Sequence, residues 1–382
     1  MKPFRIAMML ALFLFGPIGA ADDVYAFFSD HCYLFRLKLD TPEREWERWG
    51  LVCGVGTGNV ANDIMPGPDG KTVATLTEGS WTLPDPDQPG QKTPPTDEDG
   101  RVIRIADSCQ RDTVKLIKYE DFRECYKGIG YSSNRQKFIC HALWLDNGQP
   151  RDGGVAILNF SNPSYMVRIP SSDALSVIND RIIYYKGRTR MRPLWSCTLD
   201  GSDERVEYSF HEDQYPKDDF FPADIFLIDE QPHILFAATD KNAFVLCRVT
   251  REGEQEERLR CDGRYVGRPR DDIFYYVSTA GKLCAVDCAD LSTHTEILSL
   301  DEIGLKNTCT HVVAYGLPCD KNVLVQPSPD GKKVVCAKQE IRHQYALMNV
   351  WVYDVPAKKW SKPFKVENAG YGFVDRVVFL ST

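Results

Sequence analysis

Helical periodicity is almost missing from these 382 residues. Only Leu300-Asp301-Glu302-Ile303-Gly304 has the makings of one short turn, so folds built from helices are excluded. Long apolar runs are missing too. Ile6 to Phe15 gives ten apolar residues, too few to cross a bilayer, and nothing later is long and apolar enough for a membrane span. Positive charge falls short of negative: 46 Lys and Arg stand against 54 Asp and Glu, a net charge of −8. Such a chain gains nothing from phosphate neutralisation, which sets nucleic acid aside as a partner. Catalytic signatures are missing as well: there is no Gly-x-Ser-x-Gly elbow, no His-Glu-x-x-His and no phosphate loop. Gly54-Val55-Gly56-Thr57-Gly58 does not sit between a strand and a helix, so it reads as a connection. No cofactor is expected.

What is present begins with an export signal. Lys2 and Arg5 precede the apolar run, Gly16-Pro17 breaks it, and Gly19-Ala20-Ala21 supplies small residues for cleavage. Residues 1–21 are therefore expected to be a signal peptide, leaving 22–382 as a single exported domain, periplasmic or secreted. The 13 cysteines suit an oxidising compartment, and their odd number leaves at least one thiol without an internal partner.

The rest of the chain repeats one sentence: a β-branched or aromatic strand, a polar turn, and an alternating strand. Copies start at Val24, Val73, Phe138, Ile182, Ile234, Ile273 and Val334, in steps of 49, 65, 44, 52, 39 and 61 residues. The shorter steps match a four-stranded propeller blade of about 40–50 residues. An eighth copy, Arg376 to Ser381, ends the chain, and the first copy lacks a preceding strand. The expectation is an all-β, seven-bladed β-propeller, with six or eight blades as alternatives. The C-terminal strand would close the ring against the N-terminal blade and so remove the free edge. The Pro- and Asp-rich stretch 82–100 is too polar for a core and reads as an inserted loop. Asp97, Glu98 and Asp99 lack the order of a Ca²⁺ loop, so no metal is expected there.

Two hairpins are sharp: Gln326-Pro327-Ser328-Pro329-Asp330-Gly331-Lys332 and Pro66-Gly67-Pro68-Asp69-Gly70-Lys71. They resemble the PD40, TolB-type (WD40-like) β-propeller repeat. Leu194 to Ser202 is similar to the second half of that repeat, while Ser133-Asn134-Arg135 and Asn179-Asp180-Arg181 stand where Pro-Asp-Gly belongs. The resemblance implies a propeller over residues 23–382. It leaves no room for the N-terminal α/β domain of TolB-type proteins, since repeats begin at Val24. Propellers of this kind act as binding platforms, as lids on peptidases, and as lyases or hydrolases.

Hairpin symmetry suggests disulfides. Cys32 and Cys53 are centred on the turn Thr41–Arg44, and Cys247 and Cys261 on Glu254, so each pair is expected to face across adjacent strands. Cys125–Cys140 and Cys319–Cys336 are looser analogues, off register by a residue or two. Cys284 and Cys288 are too far apart along one strand to pair with each other.

Two segments are the ligand-binding candidates. His211-Glu212-Asp213 through Asp218, Asp219 and Asp224 joins two blades and combines a His, carboxylates and aromatics. Arg188, Arg190 and Arg192 share one face of an extended segment and suit a carboxylate or sulfate. His141, His233 and His343 fall in or beside strands and read as packed or surface histidines. The expected function is non-catalytic binding or scaffolding by a monomer, with a protein or carbohydrate ligand at a propeller face. The alternative is a carbohydrate lyase or hydrolase with a His and carboxylate site at the channel mouth.

Overall fold

A computed structural model describes residues 24–29, 33–40, 46–51, 61–67, 69–77, 84–85, 88–92, 102–107, 114–118, 122–146, 149–150, 153–162, 165–186, 193–209, 220–238, 243–250, 252–270, 272–305, 323–342, 345–369 and 377–381. The described strands form seven antiparallel sheets of four or five strands and one small ribbon. The first sheet runs Val378–Ser381, Val24–Ser29, Tyr33–Lys38, Trp46–Leu51, and the second Ala61–Pro66, Thr72–Thr77, Val102–Asp107, Val114–Lys118. The third runs Phe122–Tyr131, Lys137–Asp146, Gly154–Asn159, Met166–Pro170, with Gln149–Pro150 added on its second strand. The fourth runs Ser172–Ile178, Arg181–Lys186, Leu194–Thr198, Arg205–Tyr208, and the fifth Phe220–Ile228, Gln231–Ala238, Phe244–Val249, Gln255–Cys261. The sixth runs Gly263–Arg270, Ile273–Ser278, Lys282–Asp287, Asp290–Ser299. In the seventh, Val323–Pro327, Lys333–Arg342 and Tyr345–Asp354 are followed by two outer pieces, Lys359–Trp360 and Phe364–Ala369.

Each sheet is buried on both faces, which explains why its second strand reads as an unbroken apolar run. Successive side chains point to opposite faces. Phe138 packs toward Met65 and Leu76 of the second sheet, while its neighbour Ile139 packs toward Ile182 and Tyr184 of the fourth. Ile183 and Tyr185 turn the other way, onto Ile234 and Phe236 of the fifth. Phe226 and Phe244 then meet Phe274 of the sixth, and Leu283 meets Val334 of the seventh. Val335 and Val350 lie against Phe35 and Leu37 of the first sheet, and Leu34 against Ile64 and Val73 of the second. Full burial of each large side chain contributes about 1.5–3 kcal/mol, so the stability is spread over these face-to-face contacts.

The first strands of the second to fifth sheets touch one another in series, which marks them as the inner edge. Val24–Phe27 pairs antiparallel with Val378–Ser381. The all-β expectation therefore holds. Six blades are found, which does not support the seven expected and equals the lower alternative. Two sheets depart from the plain four-strand order: the third carries Gln149–Pro150 on its second strand, and the seventh splits its outer strand. The second keeps four strands around an insertion between Thr77 and Val102, where Pro84–Asp85 and Gln88–Lys92 make the ribbon. Among the described residues the one helical element is a 3₁₀ turn, Leu300–Ile303, ended by Gly304 at φ 73°. It lies where the sequence placed a single turn.

The Cys247–Cys261 pairing is corrected by register. The turn is centred near residue 252 rather than on Glu254, and a bulge shifts the strands further, so Cys247 faces Glu257 and Cys261 faces Phe244. Both are free thiols. Cys125 and Cys140 are also free, although their sulfurs lie 3.8 Å apart. Cys336 is free and buried, whereas Cys32, Cys53 and Cys319 lie outside the described residues.

Candidate functional site

Of the ligand-binding candidates, only Asp224 is described; His211, Asp218, Asp219, Arg188, Arg190 and Arg192 lie outside the described residues. Asp224 follows a bulge on the inner strand of the fifth sheet, where the register shifts between Pro222 and Asp224. The bulge turns its carboxylate so that one oxygen accepts the N–H of Ile225 at 2.8 Å and the other the Tyr265 hydroxyl at 2.5 Å, from the inner strand of the sixth sheet. Burial raises the Asp224 pKa, and Tyr265 and the cations Arg268 and Lys127 counter it. Burial beside this carboxylate likewise raises Tyr265. Lys127 comes from the inner strand of the third sheet, so cations from the third and sixth sheets both act on this carboxylate of the fifth.

Asp63 repeats the device. It follows a bulge on the inner strand of the second sheet and accepts the N–H groups of Ile64 at 2.9 Å and of Gly128, in the third sheet, at 2.8 Å. Each of these two aspartates links its own inner strand to the next, and each carboxylate is held by donors on both oxygens.

His141 is fully buried between the third and fourth sheets, with Nε2 3.1 Å from the carbonyl of Ala174 and Nδ1 3.4 Å from Asp173. His233 lies against the carbonyl of Gln231, and burial lowers its pKa. His343 lies outside the described residues. Among the described residues no group of three or more His, Cys, Asp or Glu is arranged to hold a metal.

The open site is elsewhere. A cleft of about 540 Å³ lies between the fourth and fifth sheets. Its apolar lining comes from Ile178, Ile183, Tyr208, Leu227, Pro232 and Val249. Arg181, Arg205 and Glu207 form one polar wall. There the buried Glu207 accepts Ser196 Oγ at 2.7 Å and Arg205 Nε at 3.0 Å, while Arg181 pairs with Asp203 at 2.6 Å. Glu230 and Glu252 stand on the opposite side.

The sequence explains why the cleft is here. In the fourth and fifth sheets the first two strands are joined by two residues only, since Ile178 pairs with Arg181 and Ile228 with Gln231. Asn179, Asp180, Asp229 and Glu230 all have positive φ, between 49° and 61°, the backbone of a tight primed turn. This corrects the reading of Asn179-Asp180-Arg181 as a worn Pro-Asp-Gly turn. Arg270 pairs with Ile273 in the sixth sheet as well, so the cleft lies between the first two of three consecutive short turns. The cleft's described lining includes none of the ligand-binding candidates read from the sequence. Its signal was legible only as strand spacing: two polar residues between two apolar runs.

Similar solved structures agree with this architecture. A hypothetical selenium-binding protein from Sulfolobus tokodaii matches over 94% of both chains at 9% identity, with a TM-score of 0.53. The fold is a β-propeller. A quinonprotein alcohol dehydrogenase-like protein from Bacteroides thetaiotaomicron matches 93% of this chain and 78% of its own, at 11% identity and TM-score 0.48. A putative TolB from Agrobacterium tumefaciens matches 95% of this chain and 99% of its own, at 10% identity and TM-score 0.38. No protein-family model and no curated protein sequence matches the chain. These similar structures bear names of different activities.

Proposed function

We propose that the protein is an exported, closed, seven-bladed propeller that serves as a non-catalytic binding platform, with the cleft between the fourth and fifth blades as its docking site for a protein or glycan. The observation that carries this reading is the cleft itself: apolar floor, convergent polar walls, and a place where the repeat departs from its own pattern. Seven blades are supported by seven apolar interfaces, each between consecutive sheets, with the seventh joining the last sheet to the first. Closure is supported by the pairing of Val24–Phe27 with the C-terminal strand. Export is supported by the charged, apolar and small-residue order of residues 1–21, and by the absence, among the described residues, of a helix able to cross a membrane.

A second reading, a carbohydrate lyase or hydrolase, is favoured by one contact: the Tyr265 hydroxyl on the Asp224 carboxylate. Against it, both carboxylate oxygens already hold donors within the ring. One experiment separates the two. The purified chain is offered a peptide library and a set of soluble polysaccharides, and both retention and turnover are measured. Retention without turnover, lost when Gln231 at the cleft rim is changed to Trp, is expected. Polysaccharide cleavage that D224N abolishes, while Q231W leaves it intact, would overturn the platform reading.

A further inference from the structure

The charges of the cleft are unevenly matched. On the fourth-sheet wall, Arg181 and Arg205 face Asp203 and Glu207. Arg181 lies 2.6 Å from Asp203 and 4.0 Å from Glu207, and Arg205 lies 3.0 Å from Glu207 and 3.7 Å from Asp203. Two cations and two carboxylates cancel. On the fifth-sheet wall, Glu230 sits in a two-residue turn at φ 61° and Glu252 in the turn after Val249. Both are exposed, and neither carboxylate has an ion-pair or hydrogen-bond partner among the described residues. The cleft therefore presents two uncompensated negative charges beside an apolar floor.

Building on the platform reading, we propose that the occupant of this cleft is a basic, partly apolar protein segment. Its Lys or Arg heads would meet Glu230 and Glu252, and its aliphatic stems and apolar side chains would cover Leu227, Pro232 and Val249. Three features argue for this chemistry. First, long basic side chains carry apolar stems below a charged head, which matches a floor of Leu, Pro and Val under a carboxylate rim. Second, an anionic ligand would meet Glu230 and Glu252 with like charge, while the two cations among the described lining residues are already engaged by Asp203 and Glu207. Third, among the described residues Tyr208 is the one aromatic side chain in the lining, and it is buried, so these residues offer no exposed ring on which a neutral sugar would stack.

Titration calorimetry on the mature chain tests the proposal with three ligands. One is a hexapeptide alternating Leu with Lys or Arg. The second is the same peptide with Glu at the basic positions, and the third a neutral β-linked glucan hexamer. The basic peptide is expected to bind at least tenfold tighter than either of the others, and to weaken as salt rises from 50 to 300 mM. The double variant Glu230→Gln with Glu252→Gln is expected to lower its affinity at least tenfold at unchanged Tm, since both side chains are exposed. Gln231→Trp should remove binding altogether. Equal affinity of the basic and acidic peptides, or wild-type affinity in the double variant, overturns the proposal. If the acidic peptide or the glucan binds best and Q231W abolishes it, the cationic assignment falls and the platform reading stands. If none of the three binds, both fall together.

Discussion

The hairpin turns of the third and seventh sheets look unrelated in sequence and are alike in structure. In the seventh, Ser328 N–H donates to the Lys333 carbonyl at 2.8 Å, and its hydroxyl donates to Asp330 at 2.6 Å and accepts the Lys333 N–H at 2.9 Å. The carboxylate also accepts the Lys332 N–H at 3.0 Å, and Gly331 takes φ 71°. In the third, Ser132, Asn134, Arg135, Gln136 and Lys137 make the same five-residue pattern, with distances of 2.9, 2.7, 3.0 and 3.1 Å for the corresponding bonds. Asn134 replaces the Asp, and Arg135, at φ 57°, takes the place of the Gly. The third turn thus reaches this geometry with a serine and a side-chain carbonyl oxygen two residues on, without the Pro-Asp-Gly letters. The turn is shorter in the fourth, fifth and sixth sheets, where Ile178 pairs with Arg181, Ile228 with Gln231 and Arg270 with Ile273, and the cleft opens between the first two of these.

The strongest challenge to this equivalence is removal of the serine hydroxyl. Ser328 and Ser132 are both buried, so Ala leaves the Lys333 or Lys137 N–H without its side-chain acceptor. Each substitution should cost about 2–3 kcal/mol of unfolding free energy, the penalty for orphaning buried polar groups. Urea denaturation of S328A and S132A should give losses equal to within about 0.5 kcal/mol, the usual scatter for independent sites. A loss confined to S328A would show that the third turn only mimics the seventh.

The converse experiment turns a departing turn back into the repeat. Replacing Asp229-Glu230 by the Ser328–Lys332 sequence lengthens the fifth-sheet turn and carries it over the cleft. Affinity for the basic hexapeptide should fall at least tenfold, about 1.4 kcal/mol, with the far-ultraviolet spectrum unchanged. Retained binding would mean that turn length does not control the opening.

Next in size come the left-handed positions. Gly331→Ala places a Cβ at φ 71° and 3.2 Å from the Tyr275 hydroxyl, and should destabilise by about 1 kcal/mol. Arg135→Gly relieves the same backbone strain but loses the guanidinium's place 5.8 Å over the Tyr131 ring, so the two should cancel to within about 0.5 kcal/mol. Thermal unfolding measured side by side distinguishes these outcomes.

The fold was legible because the second strand of each sheet is buried on both faces. Runs such as Ile182-Ile183-Tyr184-Tyr185 and Val334-Val335-Cys336 stand out for that reason, and the seven starts all fall in such strands. The cysteine pairing was not legible. Symmetry about a turn needs the turn's centre and every bulge, and the shift between Leu246 and Cys247 is invisible in the residues. Burial then raises the thiol pKa of Cys247 to about 12 and of Cys261 to about 11, so both are poor nucleophiles. The site was missed for a related reason. Sequence reading favoured chemically conspicuous segments around His211 and Arg188. The cleft is lined instead by two short turns and by Arg181 and Glu207, which are twenty-six residues apart and meet only across the intervening strand Leu194–Thr198.

The finest difference between the paired turns is one of charge. Burial pushes the Asp330 carboxyl up, but the Ser328 hydroxyl, the Lys332 N–H and the Lys332 charge outweigh it and hold the pKa below the ordinary value. A carboxylate depressed in the folded state contributes stability above its unfolded pKa of about 3.9 and loses it as pH falls through the folded value. Asn134 cannot titrate, so the third turn makes no such contribution. Asp330→Asn should therefore flatten part of the acid limb of the stability profile below about pH 4, and the half-exposed side chain keeps the change at neutral pH under about 1 kcal/mol. Asn134→Asp should add the matching slope to the third turn. Acid unfolding of the two variants measured together would show reciprocal changes if the turns are equivalent, and unrelated ones if the shared geometry hides different energetics.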